Sequence, residues 1–202
     1  METGAATASG YRVLVSRCQR KRGSSTRSLR VPHLTIGPND RIGVVGPNGA
    51  GKTTLLNALM ARLRIDRDRV LYLPQEFSQS EAAREVAELK SLDPASRGLV
   101  LSAVARLGSV PDRLLDGEMP SPGELRKLAI ARGAHAGAHL LILDEPTNHL
   151  DLPAIEALET ALAAYPGALL LVSHDSRFIE RLARVTWEVR SSANGDSVLH
   201  IK

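Results

Sequence analysis

Short apolar runs alternate along the chain with longer stretches of helical periodicity. Four such runs stand out: Arg41–Val45, Val70–Leu73, Leu140–Leu143 and Ala168–Val172. Runs of this length are typical of strands that are buried on both faces. The segments between them are long enough to hold helices that connect parallel neighbours. The pattern therefore predicts an α/β fold with a mainly parallel core sheet.

Apolar spacing and helix-start residues predict the helices. Leucines recur at helical intervals within Thr53–Arg64, and further helices are expected over Glu81–Lys90 and Pro94–Leu107. Asp93 is placed to cap the last of these, with Pro94 in its first turn. Ser121 followed by Glu124 is the pattern of a capping box at the start of another helix.

Both ends of the chain are expected to form antiparallel pairs. Tyr11–Cys18 and Leu29–Ile36 have strand composition and are joined by the turn Gly23–Thr26. Val185–Arg190 and Val198–Ile201 flank an Asn-Gly dipeptide, which favours a hairpin. These segments predict an antiparallel β subdomain beside the parallel sheet.

The domain organisation follows from length and order. With 202 residues and 43% hydrophobic content, the chain is large enough for one domain over residues 1–202. The helical segments predict a small helical subdomain at about residues 76–133. It would be inserted between Gln75 and the apolar run at Leu140–Leu143.

Composition argues against membrane and secreted classes. No apolar run approaches the ~20 residues that a spanning helix needs, and Met1–Gly10 lacks the apolar core of a signal peptide. The single cysteine, Cys18, excludes an internal disulfide framework and fits a reducing compartment. We expect Cys18 to be a small buried apolar side chain. The sequence predicts a cytoplasmic protein without a membrane span.

Basic residues are concentrated near the N-terminus. Residues 12–30 contain seven arginines and lysines and no acid, whereas the whole chain carries a net charge of only +4. Such a patch can meet nucleic-acid phosphate. A solvated hairpin turn explains the same residues equally well, and both interpretations stay open.

The segment Gly46–Thr54 carries the strongest chemical signal. Gly46-Pro-Asn-Gly-Ala-Gly-Lys-Thr fits G-x-x-x-x-G-K-[ST] and lies between a predicted strand and a predicted helix, which is the context that a phosphate-binding loop requires. Its backbone N–H groups would cradle phosphate, Lys52 would reach the β/γ oxygens and Thr53 would ligate Mg²⁺. The residues predicted to bind nucleotide here are Gly46, Asn48, Gly49, Ala50, Gly51, Lys52, Thr53 and Thr54.

Polar residues at the ends of three other strands complete a predicted catalytic centre. Asp144, at the end of an apolar strand, is expected to hold Mg²⁺, and the adjacent Glu145 to act as general base for an attacking water. His174 would lie at the same sheet edge and contact the γ-phosphate. Gln75 is predicted to contact Mg²⁺ or the water.

The helix start at Ser121–Glu124 is predicted to be a second anion site. A serine hydroxyl and free N–H groups at a helix N-terminus favour phosphate. The phosphate loop already serves one nucleotide, so Ser121, Gly123 and Glu124 are expected to bind a nucleotide that a second domain holds.

In this order, the motifs resemble an ABC-type ATPase domain over about residues 11–190. Glu145-Pro-Thr-Asn-His-Leu-Asp151 and Leu73-Pro-Gln-Glu76 are most similar to the ABC-F subfamily, in particular to the C-terminal ATPase half of actinobacterial proteins that protect ribosomes from antibiotics. The resemblance implies a P-loop NTPase that hydrolyses ATP with Mg²⁺. It also implies a head-to-tail dimer with a second ABC ATPase domain and action on the ribosome.

The chain departs from that family at three points. Pro122 replaces a glycine of the usual Leu-Ser-Gly-Gly-Gln/Glu signature, and no aromatic residue stands near Lys21–Arg22, where one usually stacks on adenine. Two ATPase halves joined by a long helical linker are usual, whereas this chain has one half. Two alternatives therefore stay open: an ATPase subunit of an ABC transporter, or a regulatory ATP-binding module that needs a second chain.

Overall fold

The computed structural model describes residues 11–13, 17–22, 25–116, 119–191 and 196–202, with side chains described from residue 28 onward. The strands are β1 Tyr11–Val13, β2 Arg17–Arg22, β3 Ser25–Arg30, β4 Leu34–Ile36, β5 Arg41–Val45, β6 Val70–Leu73, β7 Leu140–Asp144, β8 Ala168–Val172, β9 Val185–Ser191 and β10 Ser197–Ile201. The helices are α1 Lys52–Met60, α2 Gln79–Ser91, α3 Pro94–Arg106, α4 Pro122–His135, α5 Leu152–Ala163 and α6 Ser176–Leu182.

Eight strands form one sheet in the order β2-β3-β10-β9-β5-β8-β7-β6. Its central pairs are parallel, from β9 and β5 through β8 and β7 to β6. The pairs β2–β3 and β9–β10 are antiparallel, and β10 joins β3 in parallel. The predicted α/β fold with a mainly parallel sheet is confirmed, with the antiparallel strands continuing one edge of that sheet.

Apolar side chains cover both faces of the sheet, which explains the continuous apolar runs. In β8 the odd and even positions point to opposite sides: Leu170 belongs to the cluster beneath α1, and Leu169 and Leu171 to the cluster beneath α5 and α6. Side chains alternate between the faces of a strand, so a strand covered on both sides must be apolar throughout.

A third apolar cluster lies among the helices between β6 and β7. Leu89 of α2, Val100 and Val104 of α3, and Leu128 of α4 are fully buried in it. Arg132 of α4 reinforces this packing with ion pairs to Glu85 and Glu88 of α2. The three helices thus pack around apolar residues of their own.

Local helix signals were mostly accurate. Asp93 accepts hydrogen bonds from Ala95 and Ser96 at the start of α3, as predicted. Ser121 and Glu124 form the predicted capping box of α4. Helix α2 begins earlier than predicted, at Gln79, because Ser78 and Glu81 form another capping box.

The predicted N-terminal strands were wrong in extent. Residues 29–36 do not form one strand: β3 ends at Arg30 and β4 begins at Leu34, because Pro32 between them has no N–H to donate to a ladder. Within the predicted strand Tyr11–Cys18, β1 pairs with β4 in a separate two-stranded sheet, whereas β2 pairs with β3.

Two predictions concern residues that are only partly described. The turn residues 23 and 24 and the side chains of the basic segment up to residue 27, including Cys18, lie outside the described part of the structure. The backbone of β2 and β3 forms the predicted antiparallel hairpin around that turn.

Helix α1 is shorter than predicted and ends at Met60 rather than Arg64, since the chain then turns toward a short 3₁₀ helix at Arg67–Arg69.

Candidate functional site

The loop between β5 and α1 has the tight shape that a phosphate cradle needs. Gly46 has a φ of 151°, and a Cβ there would lie 2.4 Å from the carbonyl oxygen of Val189. Gly49 and Gly51 also have positive φ, of 77° and 110°. Only glycine adopts such angles readily, so these positions allow the backbone to curl ahead of the helix.

Lys52 begins α1 and folds back over this loop. Its Nζ donates to the carbonyl of Gly46 at 2.8 Å and lies 3.2 Å from Nε2 of His174. The side chain is buried, with 9% exposed. Burial lowers the pKa of Lys52, while the nearby charges of Glu145 and Asp144 act in the opposite direction. A cation next to the free N–H groups of a helix start makes this end of the loop a strong site for anions.

Asp144 ends β7 in a buried position beside the loop. Its side chain is only 2% exposed, and its Oδ2 has no hydrogen-bond partner among the described residues. The pKa of Asp144 is raised to about 6, because burial and the charge of Glu145 raise it more than Lys52, Arg126 and a hydrogen bond with Thr53 lower it. A carboxylate and a hydroxyl in contact are the oxygen ligands that Mg²⁺ prefers, so these residues fit that ion.

Glu145 follows in an unusual backbone conformation. Its φ is 50°, and its N–H donates to the carbonyl of Val172 on the neighbouring strand. Its Oε2 accepts a hydrogen bond from the backbone N–H of His174 at 3.2 Å, whereas Oε1 is buried without a hydrogen bond in the described structure. A non-glycine residue with positive φ carries strain that is common at functional sites.

His174 lies between Lys52 and Glu145. Its Nε2 is 3.2 Å from Lys52 Nζ and 3.3 Å from Glu145 Oε1. With Lys52 charged, Nε2 must accept that hydrogen bond, which puts the ring proton on Nδ1. Nε2 then has no proton for Glu145, in keeping with the unpaired Oε1. One oxygen of Glu145 thus stays free to accept a proton from another molecule.

These residues line one cleft of about 380 Å³ at the carboxyl ends of the parallel strands. The parallel register puts Asp144 opposite Val172, two residues before His174. Sequence reasoning expected His174 at the same sheet edge as Asp144, and the register confirms it. The lining residues are Asn48, Gly49, Gly51, Lys52, Thr53, Gln75, Asp144, Glu145 and His174.

The remaining residues of the predicted site lie outside that lining. Gly46 contributes its carbonyl to Lys52, Ala50 is buried beneath the loop, and Thr54 is half-buried in α1. Ser121 and Glu124 bond to each other at the start of α4, where the hydrogen bond from Ser121 lowers the pKa of Glu124.

Two contacts near α4 were missed by sequence reasoning. A Cβ at Gly123 would lie 2.7 Å from the carbonyl oxygen of His149, so the start of α4 packs directly on the loop that follows Glu145. Arg126, one turn further, is 1% exposed and donates to the carbonyls of Pro74 and Gln75. No local signal distinguishes Arg126 from a solvent-facing arginine on a polar helix.

Comparison with known proteins identifies the family. The family model described as "ABC transporter" matches residues 29–148, which is more than half of the chain. The chain belongs to this family. ABC ATPase domains bind nucleotide, and all the residues that line the cleft except His174 lie within the matched residues.

The curated relatives support the resemblance to the ABC-F subfamily. The tylosin resistance ATP-binding protein TlrC of Streptomyces fradiae is 40% identical over 80% of this chain and 31% of its own length. ABC transporter F family member 2 of Arabidopsis thaliana is 32% identical over 78% of this chain and 25% of its own. The ribosome protection protein VmlR of Bacillus subtilis is 35% identical over 74% of this chain and 29% of its own length. The chain thus spans only about a third or less of the length of these relatives.

A solved structure gives the same fold. The dimeric ATP-binding cassette MJ0796, in a post-hydrolysis state bound to ADP and Pi, superposes with a TM-score of 0.67 at 15% identity, over 95% of this chain and 97% of that one. At this identity the likeness establishes the ABC ATPase fold alone. Among the helices of the described residues, none is long and apolar enough to cross a membrane.

Proposed function

We propose that this chain is an ATP-hydrolysing domain of the ABC-F type, and that it acts on the ribosome as one half of a nucleotide sandwich. Residues 1–202 form one ABC ATPase domain in this proposal, with a helical subdomain at about 76–133. The observation that carries the proposal is the cleft that combines Lys52, Asp144 and Glu145, in which Oε1 of Glu145 accepts no hydrogen bond in the described structure.

The loop and the helix start bind the triphosphate. The backbone from Asn48 to Thr53 supports phosphate oxygens, and Thr54 adds a hydroxyl at the edge of the loop. When the triphosphate binds, the ammonium of Lys52 exchanges its hydrogen bond to the Gly46 carbonyl for hydrogen bonds to the β- and γ-phosphate oxygens, which are stronger acceptors. Thr53, Asp144 and Gln75 would hold Mg²⁺, which neutralises charge on the β- and γ-phosphates when it is bound.

Glu145 prepares water for the reaction. Oε1 accepts a proton as the water oxygen bonds to the γ-phosphorus, and the bond between that phosphorus and the bridging oxygen breaks, giving ADP and phosphate. The backbone N–H of His174 holds Oε2 at 3.2 Å, which fixes the direction of the carboxylate. The imidazole of His174 is half-exposed beside Lys52 and contacts the γ-phosphate.

The capped helix start points to a second ATPase domain. Ser121, Gly123 and Glu124 do not line the cleft, so they serve a nucleotide that another domain binds. Apolar side chains on either side of the Gly123–His149 contact are exposed, with Met119 at 56% and Leu152 at 67%. A partner domain would cover them in a head-to-tail dimer that ATP closes and hydrolysis opens. The dimeric state of the ATP-binding cassette MJ0796 supports this arrangement.

The ribosome is proposed on the strength of the relatives. One relative is named a ribosome protection protein and another a tylosin resistance protein, so antibiotic resistance through the ribosome is the function that we favour. The chain spans about a third of these relatives, and a second ATPase half supplied by another chain or a second copy is part of the proposal.

Sedimentation with purified ribosomes tests this proposal. The Glu145→Gln chain should pellet with ribosomes in the presence of ATP and stay in the supernatant without it. For the wild-type chain, the rate of ATP hydrolysis per molecule should rise with protein concentration if two copies form the sandwich. ATP binding without pelleting would refute ribosome binding by this chain alone, and a specific activity independent of concentration would refute the homodimer.

A further inference from the structure

We infer that Arg126 is a positioning residue that sets Gln75 in the catalytic cleft. The inference rests on the proposed ATPase function, and it adds a residue of α4 to that site. Arg126 is 1% exposed, and its two terminal nitrogens donate to the consecutive carbonyls of Pro74 and Gln75, directly after β6. Two hydrogen bonds from one rigid guanidinium fix both the position and the orientation of the backbone on either side of Gln75.

The environment of Arg126 is not that of a stabilising ion pair. Among the described residues no carboxylate pairs with it, and its Nε is buried without a partner. Burial lowers the pKa of Arg126, and only the more distant charges of Asp144, Glu76 and Glu145 oppose that effect. A buried cation with incomplete hydrogen bonding costs stability compared with an apolar side chain of similar size. Its presence is explained if the geometry of Gln75 depends on it.

Arg132 of the same helix provides the contrast. It lies two turns further along α4 and donates to both carboxylate oxygens of Glu85 at 3.0 Å, with a second ion pair to Glu88. That arrangement ties two helices together far from the cleft lining. Arg132 is partly buried, with 21% of its side chain exposed, so Arg132→Met is the control for removing a guanidinium from α4 outside the cleft lining.

Gln75 is the residue through which Arg126 acts. Gln75 lines the cleft together with Thr53 and Asp144, and these three residues are proposed to hold Mg²⁺. Arg126 donates a hydrogen bond to the backbone carbonyl of Gln75. Loss of these bonds would free the peptide after Pro74 to rotate and would move Gln75 relative to Thr53 and Asp144, the residues that would hold Mg²⁺ with it. The loop at residues 46–54 is not touched by this change.

The experiment compares Arg126→Met, Arg126→Lys, Arg132→Met, Gln75→Ala and the double variant Arg126→Met/Gln75→Ala in the full chain. Backbone ¹⁵N order parameters are measured at residues 75–77, and ATP turnover is measured over a range of Mg²⁺ and ATP concentrations. Arg126→Met should lower these order parameters from about 0.85, the value of rigid backbone, toward the values below about 0.6 that flexible segments show. It should lower kcat with little change in ATP affinity. Arg126→Lys, which keeps the positive charge and a single donor nitrogen, should lie between wild type and Arg126→Met.

Turnover of the double variant decides whether Arg126 acts through Gln75. If it does, adding Arg126→Met to Gln75→Ala lowers kcat no further. Additive losses would overturn the inference, as would order parameters at residues 75–77 that match those of the Arg132→Met control. Should Gln75→Ala hydrolyse ATP like the wild type, the role of Arg126 in catalysis is refuted with it. A wild-type chain that binds ATP without hydrolysing it would refute the proposed function, while the order parameters would still decide whether Arg126 orders Gln75.

Discussion

Replacing Glu145 with Gln tests the chemistry of the cleft most directly. The change removes the charge and the proton-accepting oxygen but keeps the shape of a side chain that is only 6% exposed. The amide oxygen can still accept from the His174 N–H, so the loop geometry should be preserved. Oε1, which accepts no hydrogen bond in the described structure, is the atom whose chemistry is lost.

The magnitude follows from that single lost function. General-base catalysis contributes about 10²–10⁴ in rate, or about 2.7–5.4 kcal/mol at 1.36 kcal/mol per tenfold. We expect kcat to fall by this amount while the chain still binds ATP. Folding stability should not decrease, because Asp144 no longer faces a second buried carboxylate, whose charge raises its pKa in the wild-type chain.

Single-turnover hydrolysis of ATP, with affinity measured separately by titration, separates these effects. Glu159→Gln is the matched control, since Glu159 is likewise buried, at 8% exposure, but pairs with Arg181 outside the cleft. That variant should hydrolyse ATP within about twofold of wild type, because the Glu159–Arg181 pair lies outside the cleft. An ion pair with an exposed arginine also contributes little to folding stability. Turnover by Glu145→Gln at the wild-type rate would refute the assignment of Glu145 as base.

The other predictions concern the loop and its contact with α4. Lys52→Ala should weaken ATP binding at least about tenfold by removing a charge-assisted contact, whereas exposed Lys90→Ala should not; equal affinities in a titration would contradict the role of the loop. Gly123→Ala puts a Cβ 2.7 Å from the His149 carbonyl and should cost about 1–3 kcal/mol of stability in urea unfolding. Gly98→Ala, with open space around it in α3, should instead gain about 0.5–1 kcal/mol, and a loss at Gly98 equal to that at Gly123 would contradict the steric argument.

Features that depend on neighbours within one turn could be predicted from the sequence. The phosphate loop at Gly46–Thr54 and the caps at Asp93 and Ser121 involve residues at most a few positions apart. Each is therefore visible as a spacing. The two-sided sheet was predictable for a similar reason, because apolar runs such as Ala168–Val172 show burial on both faces without reference to any partner.

Element boundaries near the N-terminus depended on which strand pairs with which. The sequence between residues 11 and 36 contains enough strand-forming residues for two long strands, and the structure divides it into four. Pro32 was a local sign of the break between β3 and β4. The pairing of β1 with β4 in a sheet of their own was not visible in any local pattern.

The sequence by itself determined the class of fold, through its apolar runs, and the residues that line the cleft, through local motifs at strand ends. Only the tertiary structure decided how those residues are held. Arg126 reaches a carbonyl 51 positions away in the sequence, and Gly123 is required by the carbonyl of His149 on another segment. Neither requirement leaves a periodicity or a spacing in the sequence, because each arises from packing between segments that meet only after folding.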